Sequence, residues 1–200
     1  MLRQYFLLFF LVIPSLLCAA SPYEEIEDYF NSIHTFQAEF KQFSPNNVVR
    51  TGNFYLSKPD KIKWEYLSPK KILIMSTGKQ IIYCDYELEE TSYISSNSVL
   101  MHFLTQEKTD FSRDLTVENY KKGANFSELT VSAPENREST DIAGKLTLIF
   151  KHNPLELVQI NVEDNTGQKS EVIFFNIKTN HEIPRSVFIF KNPKFFTGLD

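Results

Sequence analysis

The feature that most constrains the fold is an alternation of apolar and polar residues that begins at Thr35 and extends over three successive segments. Its apolar positions are Phe36, Ala38 and Phe40, then Phe54 and Leu56, then Ile62, Trp64 and Tyr66. Because successive side chains of a strand point to opposite faces, each segment predicts a β-strand with one buried face. Turn-forming residues at 44–47, 58–60 and 68–69 separate the segments, which favours antiparallel pairing.

The same spacing of short apolar segments continues to the end of the chain. Further runs typical of strands lie at 72–76, 80–85, 88–94, 115–120, 128–132, 145–151, 155–162, 171–177 and 186–190. One strand about every ten residues is typical of an antiparallel all-β domain. The pattern therefore predicts a mainly β protein, built on one antiparallel sheet that curls strongly or nearly closes.

Two segments have helical rather than strand periodicity. Apolar residues recur at helical spacing at Ile26, Tyr29, Phe30 and Ile33, and again at Val99, Leu100, Phe103 and Leu104. The first segment follows Ser21–Glu24, which has the pattern of a capping box. Short helices with one apolar face pack against a sheet, either as part of an ordinary core or as the cover of an apolar cavity. The periodicity alone is compatible with both.

The first twenty residues have the layout of a secretory signal peptide, with a basic start, an uncharged apolar run and small residues before position 21. We expect cleavage before Ser21, which leaves residues 21–200 as one secreted domain. Cys18 leaves open a second form, in which a lipidated cysteine anchors the protein in a membrane. Leu16 and Leu17 fit that form poorly, because such sites carry a small residue just before the cysteine.

Charge and motif content point away from nucleic-acid binding and catalysis. The net charge of −4 argues against a phosphate-binding surface. The histidines at positions 34, 102, 152 and 181 lack the spacing of a zinc site, and the sequence contains no G-x-S-x-G, Walker A or G-x-G-x-x-G motif. We therefore predict a protein that is not an enzyme and has no metal site. Cys84 is expected to be a buried strand residue.

A set of motifs in consistent order resembles the LolA family of periplasmic outer-membrane lipoprotein carriers. Residues 52–64, GNFYLSKPDKIKW, are similar to the family signature G-x-L-x-L-x-R-P-x-x-F-x-W, and 36–42 are similar to its F-x-A-x-F-x-Q strand. Further similarities are S-T-G-K at 76–79, Asp85 with Leu88, Phe174 with Ile177 and Asn180, and Phe188 with Phe190 and Pro193. The chain departs from the signature at Lys58, where the family has arginine, and at Ile62, where phenylalanine is common.

The resemblance implies an unclosed antiparallel β-barrel whose hollow is capped by an α-helical lid, with no cofactor. It implies triacylated lipoproteins as cargo, received from an inner-membrane lipoprotein-releasing ABC transporter. The cargo then passes to an outer-membrane acceptor lipoprotein or directly to the outer membrane. In the family the arginine holds the lid through helix-end carbonyls, so Lys58 is the expected latch.

With this fold, the alternating residues become candidates for an acyl-chain cavity and the helical residues candidates for its lid. The cavity candidates are Phe36, Ala38, Phe40, Phe54, Leu56, Ile62 and Trp64. The lid candidates are Ile26, Phe30, Leu100, Phe103 and Leu104. Two other functions stay open on the sequence: a membrane-anchored acceptor of the same fold lipidated at Cys18, and a regulatory module that senses envelope lipids.

Overall fold

The computed structural model describes residues 21–78, 80–95, 103–134 and 143–193. Two α-helices are present in these ranges, α1 (Glu24–Ser32) and α2 (Phe111–Asp114), together with a helical turn at 103–105 and a 3-10 helix at Arg185–Phe188. The strands are β1 (Thr35–Phe43), β2 (Val49–Ser57), β3 (Lys61–Ser68), β4 (Ile72–Thr77), β5 (Gln80–Asp85), β6 (Glu90–Ser95), β7 (Thr116–Lys122), β8 (Phe126–Ser132), β9 (Ala143–Lys151), β10 (Glu156–Asp164) and β11 (Lys169–Thr179).

All eleven strands belong to one antiparallel sheet in the order β6-β5-β4-β3-β2-β1-β11-β10-β9-β8-β7. Strands β1–β6 form one meander and β7–β11 a second, and the pairing of β1 with β11 joins them. The sheet is not closed, because β6 and β7 are its two edges. The predicted mainly β fold with an unclosed antiparallel sheet is therefore confirmed.

The register places the alternating residues beside one another on one face of the sheet. Phe36 is paired with Leu56 and Ala38 with Phe54 across β1 and β2. Phe54 is in turn paired with Trp64 across β2 and β3. Directly paired residues share a face, so the period-two pattern of three strands becomes one continuous apolar surface. We call this surface the inner face.

The main core lies on the inner face and includes both halves of the sheet and α1. Its members from the second half include Leu129, Leu148, Phe150, Ile160 and Phe174. A second, smaller cluster on the opposite face contains Leu73, Met75, Ile82 and Cys84, with Tyr86 and Phe190 packed against it. Cys84 is fully buried there, as the sequence predicted.

Three local predictions differ from the structure. Helix α1 begins at Glu24 after Tyr23, which makes no side-chain capping bond, so the predicted capping box is wrong. Ser21 contributes only its backbone carbonyl, which accepts a bond from the Glu24 amide. The predicted strand at 186–190 is also wrong: Pro184 precedes a 3-10 helix there, whose amide bonds are local and need no neighbouring strand. The short helix α2 was not predicted.

Most of the second predicted helix, including Leu100, lies outside the described residues. The part that is described, 103–105, is helical. No helix in the described ranges is long and apolar enough to span a membrane.

Candidate functional site: an apolar inner face beneath a helical lid

The seven residues predicted for the cavity all lie on the inner face. Six of them are buried, and Trp64 is half-buried. The set is Phe36, Ala38, Phe40, Phe54, Leu56, Ile62 and Trp64. They share one core with Ile26 and Phe30 of α1 and with Phe103. The structure brings the predicted residues together, and their role in binding acyl chains stays a prediction.

Aromatic rings on this surface contact one another, most of them edge to face. Phe54 is the centre of the group, with ring centroids 5.0 Å from Trp64, 5.9 Å from Phe36 and 5.5 Å from Phe174. Phe40 contacts Trp64 at 5.5 Å. Such pairs contribute about 0.5–1.5 kcal/mol each beyond the burial of their area. The surface is therefore apolar and densely packed with aromatic side chains.

Gly52 makes this packing possible where β1, β2 and β3 meet. A Cβ atom at this position would overlap the backbone carbonyl of Glu65 and lie 2.8 Å from the Phe40 ring. The ladder between β2 and β3 shifts register at this residue. Only glycine therefore permits the ring of Phe40 to lie over the strand.

The Trp64 indole is the polar exception in the ring cluster. Its Nε1 is buried and has no hydrogen-bond partner among the described residues. A buried donor without an acceptor costs about 1–3 kcal/mol. The inner face therefore carries one N–H group that an incoming carbonyl oxygen would satisfy.

The lid candidates that the structure describes lie over the inner face. Ile26 and Phe30 of α1 and Phe103 are buried, and Leu104 packs against the same core. The rings of Phe30 and Phe103 are stacked, with centroids 4.6 Å apart and planes 5° from parallel. Phe111 of α2 closes the group at 5.6 Å from Phe103. Three separate segments thus form one aromatic contact above the sheet.

Asn31 ties α1 to the segment that follows Phe103. Its Nδ2 donates to the Thr109 carbonyl at 2.8 Å, and its Oδ1 accepts from the Thr109 amide at 2.8 Å. Thr109 is buried, so both backbone groups depend on this side chain. A further backbone bond of 3.0 Å runs from the Asp60 amide to the Thr105 carbonyl. The 103–109 segment is thereby fixed both to α1 and to the turn after β2.

Lys58 joins that turn to the end of α1. Its Nζ donates a 2.8 Å hydrogen bond to the carbonyl of Phe30, and it lies 4.2 Å from the centroid of the Phe30 ring. Burial lowers the pKa of Lys58 from 10.5 to about 8, because the charged ammonium loses water. The predicted contact with a helix-end carbonyl is present. The latch role built on it stays a prediction.

Sequence reasoning missed how much of the inner face the second half of the chain supplies. Phe174, Phe150 and Leu157 are buried in the same core, and the Tyr29 hydroxyl accepts a bond from the Leu157 amide at 3.1 Å. The period-two burial pattern is present in β8 and β11 as well. What the sequence did not reveal is which strand of the first half they meet, since those contacts span more than a hundred residues.

Within the described ranges, no group of three or more His, Cys, Asp or Glu residues is placed to hold a metal ion. Ser127 Oγ lies 2.8 Å from Nε2 of His152, whose Nδ1 faces the Ala124 carbonyl at 3.2 Å. The serine is buried among core residues of β8, so this pair has the character of a structural hydrogen bond.

Comparison with known proteins yields one family and several distant relatives. Residues 31–191 match a family model described as outer membrane lipoprotein carrier protein LolA. An outer-membrane lipoprotein carrier protein of Legionella pneumophila is 25% identical over all of this chain and 98% of its own length. A protein of the same name from Chromohalobacter salexigens is 29% identical, over 86% of this chain and 83% of its own.

A solved structure shares the fold. It is an uncharacterised conserved protein from Thermus thermophilus, with a TM-score of 0.53 and 12% identity over 84% of this chain and 93% of its own.

Proposed function

The chain belongs to the LolA family of outer membrane lipoprotein carrier proteins, and from that premise we propose that it carries lipoproteins through the periplasm from the inner to the outer membrane. The observation that supports this most is the apolar inner face, on which seven alternating residues of β1, β2 and β3 lie beneath α1. We propose that the acyl chains of the cargo lie on this face. The family's members are named as carriers, and the proposed role requires no catalysis.

Physical chemistry explains why such cargo needs a carrier. Each buried CH₂ group contributes about 0.8 kcal/mol, so three long acyl chains hold a lipoprotein in a membrane by on the order of 30 kcal/mol. Transfer through water at a useful rate requires a protein surface that covers those chains. Ester and amide carbonyls at the head of each chain also need donors, and we propose that the unpartnered Nε1 of Trp64 supplies one.

We propose that the lid, formed by α1 and the 103–109 segment, lifts when cargo enters, and that Lys58 holds it in the closed state. The stacked rings of Phe30 and Phe103 cover the inner face, so acyl chains would take the place of these rings. The bond from Lys58 to the Phe30 carbonyl must then break. Because burial of the ammonium opposes that bond, the closed lid is held only weakly at neutral pH, which suits a carrier that must both load and release.

We further propose that residues 1–20 are removed as a signal peptide and that residues 21–200 are the working domain. The mass of the mature protein distinguishes this form from the anchored acceptor. A free Ser21 supports the carrier, and a diacylglyceryl group on Cys18 supports the acceptor. In the carrier form, the protein belongs in the periplasmic fraction of lysed cells.

The direct test is release of lipoprotein from membranes. Inner-membrane vesicles with a radiolabelled lipoprotein and the lipoprotein-releasing ABC transporter are incubated with the protein and ATP, and label in the soluble fraction is measured. The account expects labelled lipoprotein in complex with the protein, and its transfer when outer membranes are added. If the label stays in the vesicles while a carrier from the same family releases it, the proposal is wrong.

A matched pair of variants locates the cargo. Ile62 is fully buried on the inner face, whereas its neighbour Lys63 points to the other face and pairs with Glu65 at 3.1 Å. Ile62→Gln is expected to release much less lipoprotein than Lys63→Gln, with both variants checked for folding by circular dichroism. Equal release by two folded variants would place the cargo elsewhere.

A further inference from the structure

We propose that the open end of the sheet beside the β1–β2 turn is a second ligand site, which binds the phosphate group of an amphiphile and lays its hydrocarbon chain in an adjoining apolar pocket. The site is centred on Arg50 of β2 and Gln42 of β1. It lies at the end of β1 opposite α1, beyond the seven residues proposed for the lipoprotein acyl chains. The triacylated cargo needs no such phosphate site, so this inference goes beyond the proposed transport.

The polar part of the site is a pocket of about 470 Å³. Hydroxyl and amide groups of Ser44, Asn46, Gln168 and Ser170 line it, together with Gln42 and Arg50. These side chains come from β1, the β1–β2 turn, β2, the β10–β11 connection and the start of β11. Several hydrogen-bond donors therefore converge from separate segments on one volume.

Arg50 carries the positive charge of this pocket. The guanidinium of Arg50 donates to Ser44 Oγ at 2.8 Å, and no carboxylate of the described residues forms an ion pair with it. The side-chain oxygen of Gln42 is buried and has no hydrogen-bond partner among those residues. A half-buried arginine without a carboxylate partner binds an oxyanion, whereas the unpartnered oxygen of Gln42 is an acceptor and needs a donor, such as the hydroxyl of a singly ionised phosphate monoester.

The apolar part of the site begins at the same two residues. Gln42 and Arg50 also border a pocket of about 210 Å³ whose other walls are Tyr66, Ile72, Ile74 and Tyr83. Burial raises the pKa of Tyr66 to about 12, and the nearby charge of Arg50 opposes that rise. Tyr66 therefore stays a neutral phenol and does not cancel the charge of Arg50. A polar pocket and an apolar pocket that share one cation match the two ends of an anionic amphiphile.

The number of donors favours phosphate over carboxylate. A carboxylate has two oxygens, and the fork of one guanidinium satisfies both. Here the guanidinium is accompanied by the hydroxyls of Ser44 and Ser170 and by the side-chain amides of Asn46 and Gln168. A phosphate monoester has three terminal oxygens and uses this larger set of donors.

Trp64 gives a direct optical test, because it is the only tryptophan of the sequence and its ring lies 6.4 Å from that of Tyr66. Its fluorescence is titrated with monododecyl phosphate below the concentration at which micelles form. Dodecanol supplies the chain without the head, and inorganic phosphate the head without the chain. We expect the dodecyl phosphate to bind about tenfold more tightly than dodecanol, since a charge-assisted bond contributes about that factor.

Variants separate the site from general binding to the apolar surface. Arg50→Gln should remove the preference for the phosphate ester, whereas Arg185→Gln, at an exposed arginine of the 3-10 helix, should keep it. If Arg50→Gln is poorly folded, Arg50→Lys is used instead. It keeps the positive charge but lacks the planar guanidinium, and it should lose part of the preference for the phosphate ester over dodecanol. Equal binding of the ester and dodecanol, or an unchanged preference in folded Arg50→Gln, would overturn the proposal. Inorganic phosphate that binds as tightly as the ester would overturn its amphiphile part. Because Trp64 also lies among the residues proposed for the acyl chains, the Arg50 variants locate the probe; the proposed transport does not involve Arg50, so the loss of the preference in Arg50→Gln is independent of it.

Discussion

Replacing Lys58 by leucine should have little effect on stability at pH 7 but a large effect on how stability changes with pH. At pH 7 the ammonium is charged in both states of the chain. Its bond to the Phe30 carbonyl contributes about 1.5–3 kcal/mol, and burial of the charge opposes it. A shift of the pKa from 10.5 to about 8 corresponds to on the order of 3 kcal/mol. The two contributions nearly cancel, so we expect the leucine variant within about 1 kcal/mol of the wild type.

Raising the pH should separate the two proteins. Between about pH 8 and 10.5 the folded protein releases the Lys58 proton while the unfolded chain still binds it. Stability therefore rises with pH across this window, because the unfolded state binds more protons. The neutral amine still donates to the Phe30 carbonyl. The wild type should gain about 2–3 kcal/mol over Lys58→Leu by pH 10.

The measurement is urea denaturation of both proteins at pH 7, 8, 9 and 10, with the difference in the free energy of unfolding plotted against pH. Taking the difference cancels the titration of the other lysines and the tyrosines. Lys61→Leu is the matched control, since Lys61 is exposed at the start of β3. The free energy of unfolding of Lys61→Leu should change with pH in the same way as that of the wild type. A difference between wild type and Lys58→Leu that stays flat from pH 7 to 10 would refute the reasoning.

Two further substitutions test the packing and the lid. Gly52→Ala should destabilise the protein by about 3 kcal/mol or more in urea denaturation, because the new Cβ overlaps the Glu65 carbonyl. In the control Gly123→Ala the new Cβ lies 3.2 Å from its nearest neighbour, and the loss of stability should be less than about 1 kcal/mol. Equal losses of stability in the two variants would contradict the account. Asn31→Ala removes the acceptor of the Thr109 amide. Hydrogen exchange at Thr109 should then rise at least tenfold, and unchanged exchange would mean that Asn31 does not hold the segment.

The sequence predicted the strands well because their signal is local. The alternation around Phe36, Phe54 and Trp64 needs only the period of two and a buried face, and those strands pair in the expected order. The prediction failed at 186–190, a short apolar run that begins in the 3-10 helix Arg185–Phe188. Period alone does not reveal whether a neighbouring strand is available to accept hydrogen bonds, and Pro184 favours local bonds instead.

The contacts between α1 and the 103–109 segment show where sequence reasoning reaches its limit. The family resemblance led to Lys58, and its bond to Phe30 is present. Nothing in the local pattern pointed to the Asn31–Thr109 pair, which joins residues 78 positions apart. Such a bond depends on how separate segments approach each other in three dimensions, and an asparagine on a helix has the same local signature whether it faces water or a backbone group.

Photocrosslinking at two neighbouring positions of β2 tests the central claim most directly. Phe54 is buried on the inner face, and Tyr55 lies on the opposite face of the same strand. Benzoylphenylalanine is placed at either position, and the protein is irradiated with a synthetic triacylated lipopeptide. The account predicts a crosslink to the acyl chains from position 54 and none from position 55. Equal crosslinking from both positions, or a crosslink from position 55 alone, would contradict acyl-chain binding on the inner face.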